Sequence, residues 1–540
     1  QPTGQCLPGD SSLNLAIRLG TPGQGPGWLK LLEMFAPSPT FDDEFIESVL
    51  VAADWQLEWL ENHLTGTGNW RIAELWCLLQ AALVIPSRFA RFGPQAARGL
   101  VTEFYSQVLS DGVHLERSAG YHWWMNFSFR LLHLIGDRLK PRVELEKKRL
   151  IGMDLFTLAQ TMPDGSPCRF NDGAYVLNVG NSRILSARLK AYRKLRKKLG
   201  LKQSVTLDNV FPEAGLVFFR TAWGEKSTWV AFDVCTDFPG PHGHLSRLSL
   251  ELHHAGRTLI PDPGIFSYEM STWLGPAGKK TAGHATACVD WLNQADVGAQ
   301  LLMFYSNRHF AFAHGRYTGG YWTGRYEWSF RQGRGTGLWG IHDRMLVWFK
   351  GRCLIVLDTV RTEPGHTIYL SYPLSPSPYQ VDSHRSEVWT MNNDVNVFLK
   401  LLWLMAKPCP ELKVYYGDRK AELGFLSTGF DQVVKSPLIS WAFPTDYAET
   451  VTVILPFPGK KKPEVAIQAE SLGRYRRFLQ LLWPDGRRDT LDWVPGLSRA
   501  FDQEAHLEQL QEPKASLIAR TAVAGNRRAT IGIIEPRPQF

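Results

Sequence analysis

The chain has no Cys-x-x-Cys pair, no apolar run long enough to cross a membrane, no internal repeat and no low-complexity tract. Each absence removes a class. Its seven cysteines (Cys6, Cys77, Cys168, Cys235, Cys288, Cys353, Cys409) are scattered and odd in number, so neither a zinc ribbon nor a disulfide framework is supported. Without a long apolar run no helix is expected to insert into a membrane. No nucleic-acid-binding motif is present, so no nucleic-acid partner is expected. The sequence opens at Gln1, and the lack of a leader in it says nothing about export; a secreted or periplasmic setting is the expectation.

What is present describes a globular protein. At 540 residues with 44% apolar and 21% charged content, the chain is too long for one core and implies two domains or three. Twenty tryptophans provide flat faces that can stack on sugar rings as well as pack cores. A net charge of +8 favours an acidic partner, whether anionic polysaccharide, nucleic acid or membrane surface.

The patterning changes near residue 205. Residues 1–40 are rich in Gly and Pro and are expected to be irregular. From about 41 to 205 the period is helical: Phe45, Ile46, Val49, Leu50, Ala53, Leu57 and Leu60 recur at three and four residues, one face of a long helix. Similar stripes run through 71–84, 98–109, 122–139, 143–162 and 182–199. The last carries Arg188, Lys190, Arg193, Lys194, Arg196, Lys197 and Lys198, read as a solvated face. From 206 to 540 short β-rich runs (215–221, 228–234, 248–253, 345–350, 353–360, 451–455) alternate with Gly, Pro and Asp turns, which predicts a large antiparallel β-sandwich.

Chemistry concentrates in Pro241-His242-Gly243-His244, followed by Asp262 in Pro261-Asp262-Pro263-Gly264 and by His284. In an extended segment two histidines two apart point the same way. With a carboxylate on a neighbouring strand they can bind a zinc-like ion, and the spare histidine is left for proton transfer. The alternative is a set of unrelated polar strand ends. In the helical half, Asn69-Trp70-Arg71 opens one helix, where Asn69 is a good N-cap. Asp111-Gly112 through Tyr121-His122 precedes another.

The order of these motifs, Asn-Trp, D-G-x-x-x-E-x-S-x-x-Y-H, H-G-H, P-D-P-G and A-G-H-A-T-x-x-V-D, resembles the heparinase II/III-like polysaccharide lyases over about residues 45–360. The resemblance implies an incomplete α/α toroid followed by an antiparallel β-sandwich, an acidic polysaccharide substrate, and β-elimination on uronic acids. It also implies roles. Asn69 looks like the residue that neutralises the uronate carboxylate, and Tyr121 like the catalytic tyrosine, with its neighbour His122 also expected to be catalytic. One of His242 and His244 looks like the active-site histidine; the other, with Asp262 and His284, looks like a structural zinc site. His242 is assigned to catalysis and His244 to the metal, with the reverse also open. Trp70, Glu116, Trp124 and Tyr268 are expected to bind substrate. No organic cofactor is expected. Ser246 stands where the family form H-G-H-x-D has an aspartate, which predicts weaker orientation of a histidine. The rival readings are a non-catalytic acidic-glycan-binding protein and a metal-dependent hydrolase that activates water.

Overall fold

A computed structural model describes residues 11–173, 179–202, 204–237, 240–322, 337–404, 409–472, 476–493, 519–524 and 527–530. The chain forms two compact units: residues 1–115 with 120–157, and residues 116–119 with 158–540.

The first unit is helical. Helices span Ser12–Leu19, Gly27–Phe35, Asp43–Asn62, Asn69–Val84, Gly93–Gln107, Ala119–Ile135 and Lys147–Ala159, the last ending just inside the second unit. Residues 11–40 were expected to be irregular, and the structure corrects this. The Ser11 side chain accepts from the Asn14 N–H to start one helix, and Leu15, Leu19, Leu29 and Leu32 are buried. The glycines and prolines that suggested disorder lie mostly in the link between the two helices. Asp42 caps the long third helix by accepting from the Phe45 N–H at 2.7 Å. Of its apolar stripe only the C-terminal part, Ala53, Leu57 and Leu60, is fully buried. One core joins these residues to Trp76, Leu79, Leu100, Phe104, Phe129 and Leu150. Gly112 cannot be replaced without movement: its φ is +89°, and a Cβ there would meet the Gly152 backbone at 2.3 Å. No single helix among the described residues is long and apolar enough to cross a membrane.

The second unit is sheet-rich and includes the helix Arg183–Lys198, which buries Leu185, Leu189 and Tyr192. A five-stranded antiparallel meander follows, through Asn209–Phe211, Leu216–Arg220, Thr228–Asp233, Ser249–His254 and Arg257–Ile260. An eight-stranded sheet centred on Gly340–Phe349, Cys353–Thr362 and Tyr447–Pro458, together with a four-stranded sheet that includes Ile368–Pro373 and Pro437–Phe443, completes the layers. One core contains Phe232, Leu250, Val356, Leu370 and Trp441. A second, with Phe312, Val347, Ile355, Val453, Leu479 and Leu491, lies on the other face of the eight-stranded sheet. Alternation along these strands puts successive residues on opposite faces, so both faces of the central strands are apolar and both are covered. Cys77, Cys168, Cys235, Cys288 and Cys353 are buried free thiols and Cys409 is an exposed one; Cys6 lies outside the described residues.

Candidate active site

In the helical unit, two helix starts carry the expected residues. Asn69 is the first residue of its helix, and the cap is Gly68, at φ +102° with no side-chain capping bond. The capping role read from the sequence therefore falls away. Among the described residues the Asn69 carboxamide makes no hydrogen bond, so it is held by its backbone alone. The loop before it is clamped from beneath. The buried Glu74 carboxylate accepts from the Thr65 N–H (2.7 Å), the Thr65 hydroxyl (2.6 Å) and the Ser12 hydroxyl (2.6 Å). Arg71 donates to the Thr65 carbonyl at 2.6 Å and lies 3.2 Å from Glu103, and the Thr67 hydroxyl reaches Glu103 at 3.1 Å.

The same polar spine continues to the second helix start. Glu103 accepts from Gln107, and Gln107 Oε1 meets His114 Nε2 at 3.1 Å. The His114 N–H donates to His122 Nδ1 at 3.2 Å, and His122 Nε2 faces the Met153 carbonyl at 2.9 Å. His122 is fully buried, edge-on to Phe156. With both ring nitrogens against backbone groups, it anchors the helix that presents Tyr121. This corrects the catalytic role expected for it. Trp124 is corrected too: it is buried in the helical core with its indole N–H towards the Pro22 carbonyl, where no substrate can stack. Trp70 is exposed and Tyr121 half-buried.

In the sheet-rich unit the two histidines of His242-Gly243-His244 part company. The segment is not a strand: Gly240, at φ +76°, starts a single 3-10 turn, Gly240–His242, and the Gly243 N–H closes it onto the Gly240 carbonyl. The turn breaks the two-residue alternation that would have aimed both rings one way. His242 Nδ1 lies 2.9 Å from Glu116 Oε2, both groups nearly buried, and its ring sits 6.0 Å from that of Tyr268. The two groups are within ion-pair distance, but the contact lacks hydrogen-bond geometry. Glu116, expected to touch substrate, lies beside His242.

His244 turns the other way. Its Nδ1 is 3.2 Å from His284 Nε2 and 4.0 Å from Asp262, and His284 Nε2 is 3.5 Å from Asp262 Oδ2. All three are buried and their ligand-type atoms converge. They sit on loops rather than on neighbouring strands. The outward nitrogens decide what the centre can hold. His244 Nε2 faces Asp172 at 2.9 Å and His284 Nδ1 faces the Lys280 carbonyl at 2.8 Å. Both partners only accept, so each ring donates outward and turns a lone pair inward. Two lone pairs and a carboxylate whose Oδ2 has no hydrogen-bond partner among the described residues fit a cation. Without one the site is frustrated: burial pushes the Asp262 carboxyl up to about 6 and lowers His284 to about 4.

Sequence reasoning missed the support. Asp172 is buried; burial alone would raise its pKa, but Lys279, His244 and His242 outweigh that and hold it below the usual range. The fully buried Lys279 ammonium lies 3.0 Å from Asp172 Oδ1. Asp172 accepts from His244, and Ser246, where the resemblance led us to expect an aspartate, points towards Asp233 at 3.5 Å. Asn171, at φ +58°, accepts from the His244 N–H (2.9 Å) and donates to the Arg117 carbonyl (3.2 Å), and the Ser118 hydroxyl donates to the Asp172 carbonyl (2.7 Å). Arg117 is itself left-handed, at φ +50°, a strained state for a residue with a long side chain. Below, Arg169 donates to the carbonyls of Asp262 (2.8 Å) and Pro263 (2.9 Å), and Glu251 accepts from the Asp262 N–H (2.9 Å). The signal in the sequence was Asn171-Asp172-Gly173, a polar turn that had no motif to attach to.

The family model described as heparinase II/III N-terminus matches residues 16–195, and that for the heparinase II/III-like C-terminal region matches residues 204–465. The fold is similar to that of heparinase III (TM-score 0.73, 18% identity, covering 90% of this chain and 75% of that one). It is also similar to heparan sulfate lyase HepC from Pedobacter heparinus (TM-score 0.65, 18% identity, 92% and 75%). No curated protein matches in sequence.

Proposed function

The chain belongs to the heparinase II/III-like family of polysaccharide lyases, and we propose that it cleaves a uronic-acid-containing acidic polysaccharide by β-elimination. The reading is supported above all by His242, which lies beside Glu116 and Tyr268 in the sheet-rich unit and is its candidate base.

In this reaction the C5–H bond of the uronate breaks and its electron pair forms the C4–C5 double bond. The C4–O4 pair leaves with O4, which takes a proton. The C5 proton is barely acidic beside a charged carboxylate. In this reading the Asn69 amide hydrogen-bonds that carboxylate and stabilises the charge that spreads into it, the logic of an oxyanion hole. Tyr121 donates the proton to O4, and itself takes the C5 proton where both lie on one face of the ring. His242 takes it in the opposite stereochemistry. Tyr268, beside His242, lines the same place in the sheet-rich unit.

The metal is assigned as zinc, held by His244, Asp262 and His284, a donor set that zinc accepts. When bound it supplies a positive charge that ties three loops together. The three ligands are fully buried. A water-activating ion needs an open position and a path for substrate, so burial disfavours the hydrolase reading. Export of the enzyme to meet a polymer outside the cell is part of the same proposal.

The test is incubation with heparin, heparan sulfate, hyaluronan, chondroitin sulfate, alginate and bacterial exopolysaccharides while recording ultraviolet absorbance. The expected result is a rise at the band of the unsaturated uronate with at least one polymer. New reducing ends without that band would mean hydrolysis. Binding with no cleavage would leave a glycan-binding protein.

A further inference from the structure

The helix Arg183–Lys198 carries eight cations (Arg183, Arg188, Lys190, Arg193, Lys194, Arg196, Lys197, Lys198) and no acid. Two of them are used locally. Arg188 donates to the Thr161 hydroxyl, and Arg196 donates to the Lys202 carbonyl at 2.6 Å and lies over the Tyr192 ring. The other six are exposed, or nearly so, and none has an acidic partner among the described residues.

Their arrangement is linear. At about 100° per residue, Arg183, Lys190, Arg193, Lys194, Lys197 and Lys198 fall within an arc of roughly 140°, and at 1.5 Å per residue the stripe runs about 22 Å. Leu185, Leu189 and Tyr192 are buried on the other side and fix which face is outward. The exposed positions between the cations are Ser186, Ala187 and Ala191, small side chains that leave the stripe open to close approach. Like charges at Lys190/Lys194, Arg193/Lys197 and Lys194/Lys198 disfavour the helix. The acidic helix Asp43–Asn62 offers a contrast: its Glu47 meets Arg88, and its Asp54 meets Arg88 and Arg91.

We propose that this helix is a second, non-catalytic binding site, an anchoring stripe for the anionic polysaccharide that the enzyme cleaves. The inference rests on the lyase reading for the identity of its ligand. A row of cations 22 Å long, by the same helical rise, matches a linear polyanion rather than a single phosphate or carboxylate. The outward arc holds no aromatic side chain, which disfavours single-stranded nucleic acid, whose bases stack on such platforms.

The experiment compares the full chain with a variant carrying Lys190→Gln, Arg193→Gln, Lys194→Gln and Lys197→Gln, and with a control in which each is exchanged for the other cation (Lys→Arg, Arg→Lys). Binding of long heparin chains, a non-sulfated polyuronate, a heparin tetrasaccharide and duplex DNA is measured against salt, alongside turnover. For long anionic glycan the neutral variant should bind at least tenfold more weakly. Its salt slope should be shallower by about three, since each lost contact releases roughly 0.7–0.9 fewer counterions. The control should keep both, and kcat on the tetrasaccharide should not change. An unchanged slope overturns the proposal. So does duplex DNA bound as tightly as glycan, with the same loss in the variant. Failure of the lyase reading looks different: no polymer is cleaved while the salt slope still depends on the helix.

Discussion

The helical unit and the sheet-rich unit hold their candidate residues by different means. Asn69 and Tyr121 sit at helix starts, at least half-buried but not enclosed, and the polar spine under them (Glu74, Glu103, Gln107, His114, His122) acts mainly on the backbone that carries them. His244, Asp262 and His284 are enclosed, and what holds them is charge: Asp172, Lys279, Arg169 and Glu251, all buried. A side chain positioned by its backbone can be replaced with little disturbance. One embedded in a buried charge network cannot, because its partners are left uncompensated.

The largest effect is expected in the helical unit and on rate alone. Tyr121→Phe should lower turnover at least about 100-fold, the usual size for a general acid or base, with substrate affinity and melting temperature close to those of the parent. Near-normal turnover would remove Tyr121 from the mechanism; a large fall in melting temperature would break the comparison itself.

Asp172→Asn probes the other unit. It replaces the charged acceptor that fixes the His244 tautomer by a neutral amide and leaves Lys279 without its carboxylate. Metal affinity should fall roughly 10- to 100-fold, as for other outer partners of metal-bound histidine. Elemental analysis of protein purified without added metal, with a chelator titration followed by thermal melting, reads this directly. Parent-like metal content and melting temperature would mean that Asp172 is a bystander.

The smallest effect lies away from the site. Asp343 is buried between His314 and Arg316; burial raises its pKa, but these two neighbours outweigh it and hold the carboxyl at about 2. A carboxylate depressed on folding stabilises the native state above its unfolded value, near 4, and the stabilisation is lost as pH falls from about 4 to about 2. At neutral pH it amounts to about 2 kcal/mol. Asp343→Asn should lower unfolding free energy at neutral pH by at least that much and flatten the loss between pH 4 and 2. Urea unfolding of both proteins across this range would show it. An unchanged acid limb would mean that the His314–Asp343–Arg316 group contributes nothing.

How legible the site was depends on sequence distance. Asn69 and Tyr121 could be placed at helix starts because capping and the 3.6 period act within a turn; only the identity of the cap, Gly68 in place of Asn69, was missed. His122 could not be told from a catalytic histidine, since its partners His114 and Met153 lie 8 and 31 residues away. The helices at Ser12–Leu19 and Gly27–Phe35 were hidden by the glycines and prolines around them. In the sheet-rich unit the support of the candidate metal ligands comes from positions 72 to 107 residues apart: His244 with Asp172, and Lys279 with Asp172.

The sequence by itself determined the order of elements, the change from helix to sheet, the family, and one histidine of the H-G-H pair with Asp262 and His284 as ligand types. These follow from periodicity and from residue chemistry, both readable in one dimension. Only the tertiary structure decided that His242 and His244 face different partners, that Glu116 lies beside His242, and that Asp172 is the carboxylate beside His244. The reason is physical: a hydrogen or a lone pair is assigned by whichever group lies about 3 Å away, and in a sheet-rich fold that group comes from another loop.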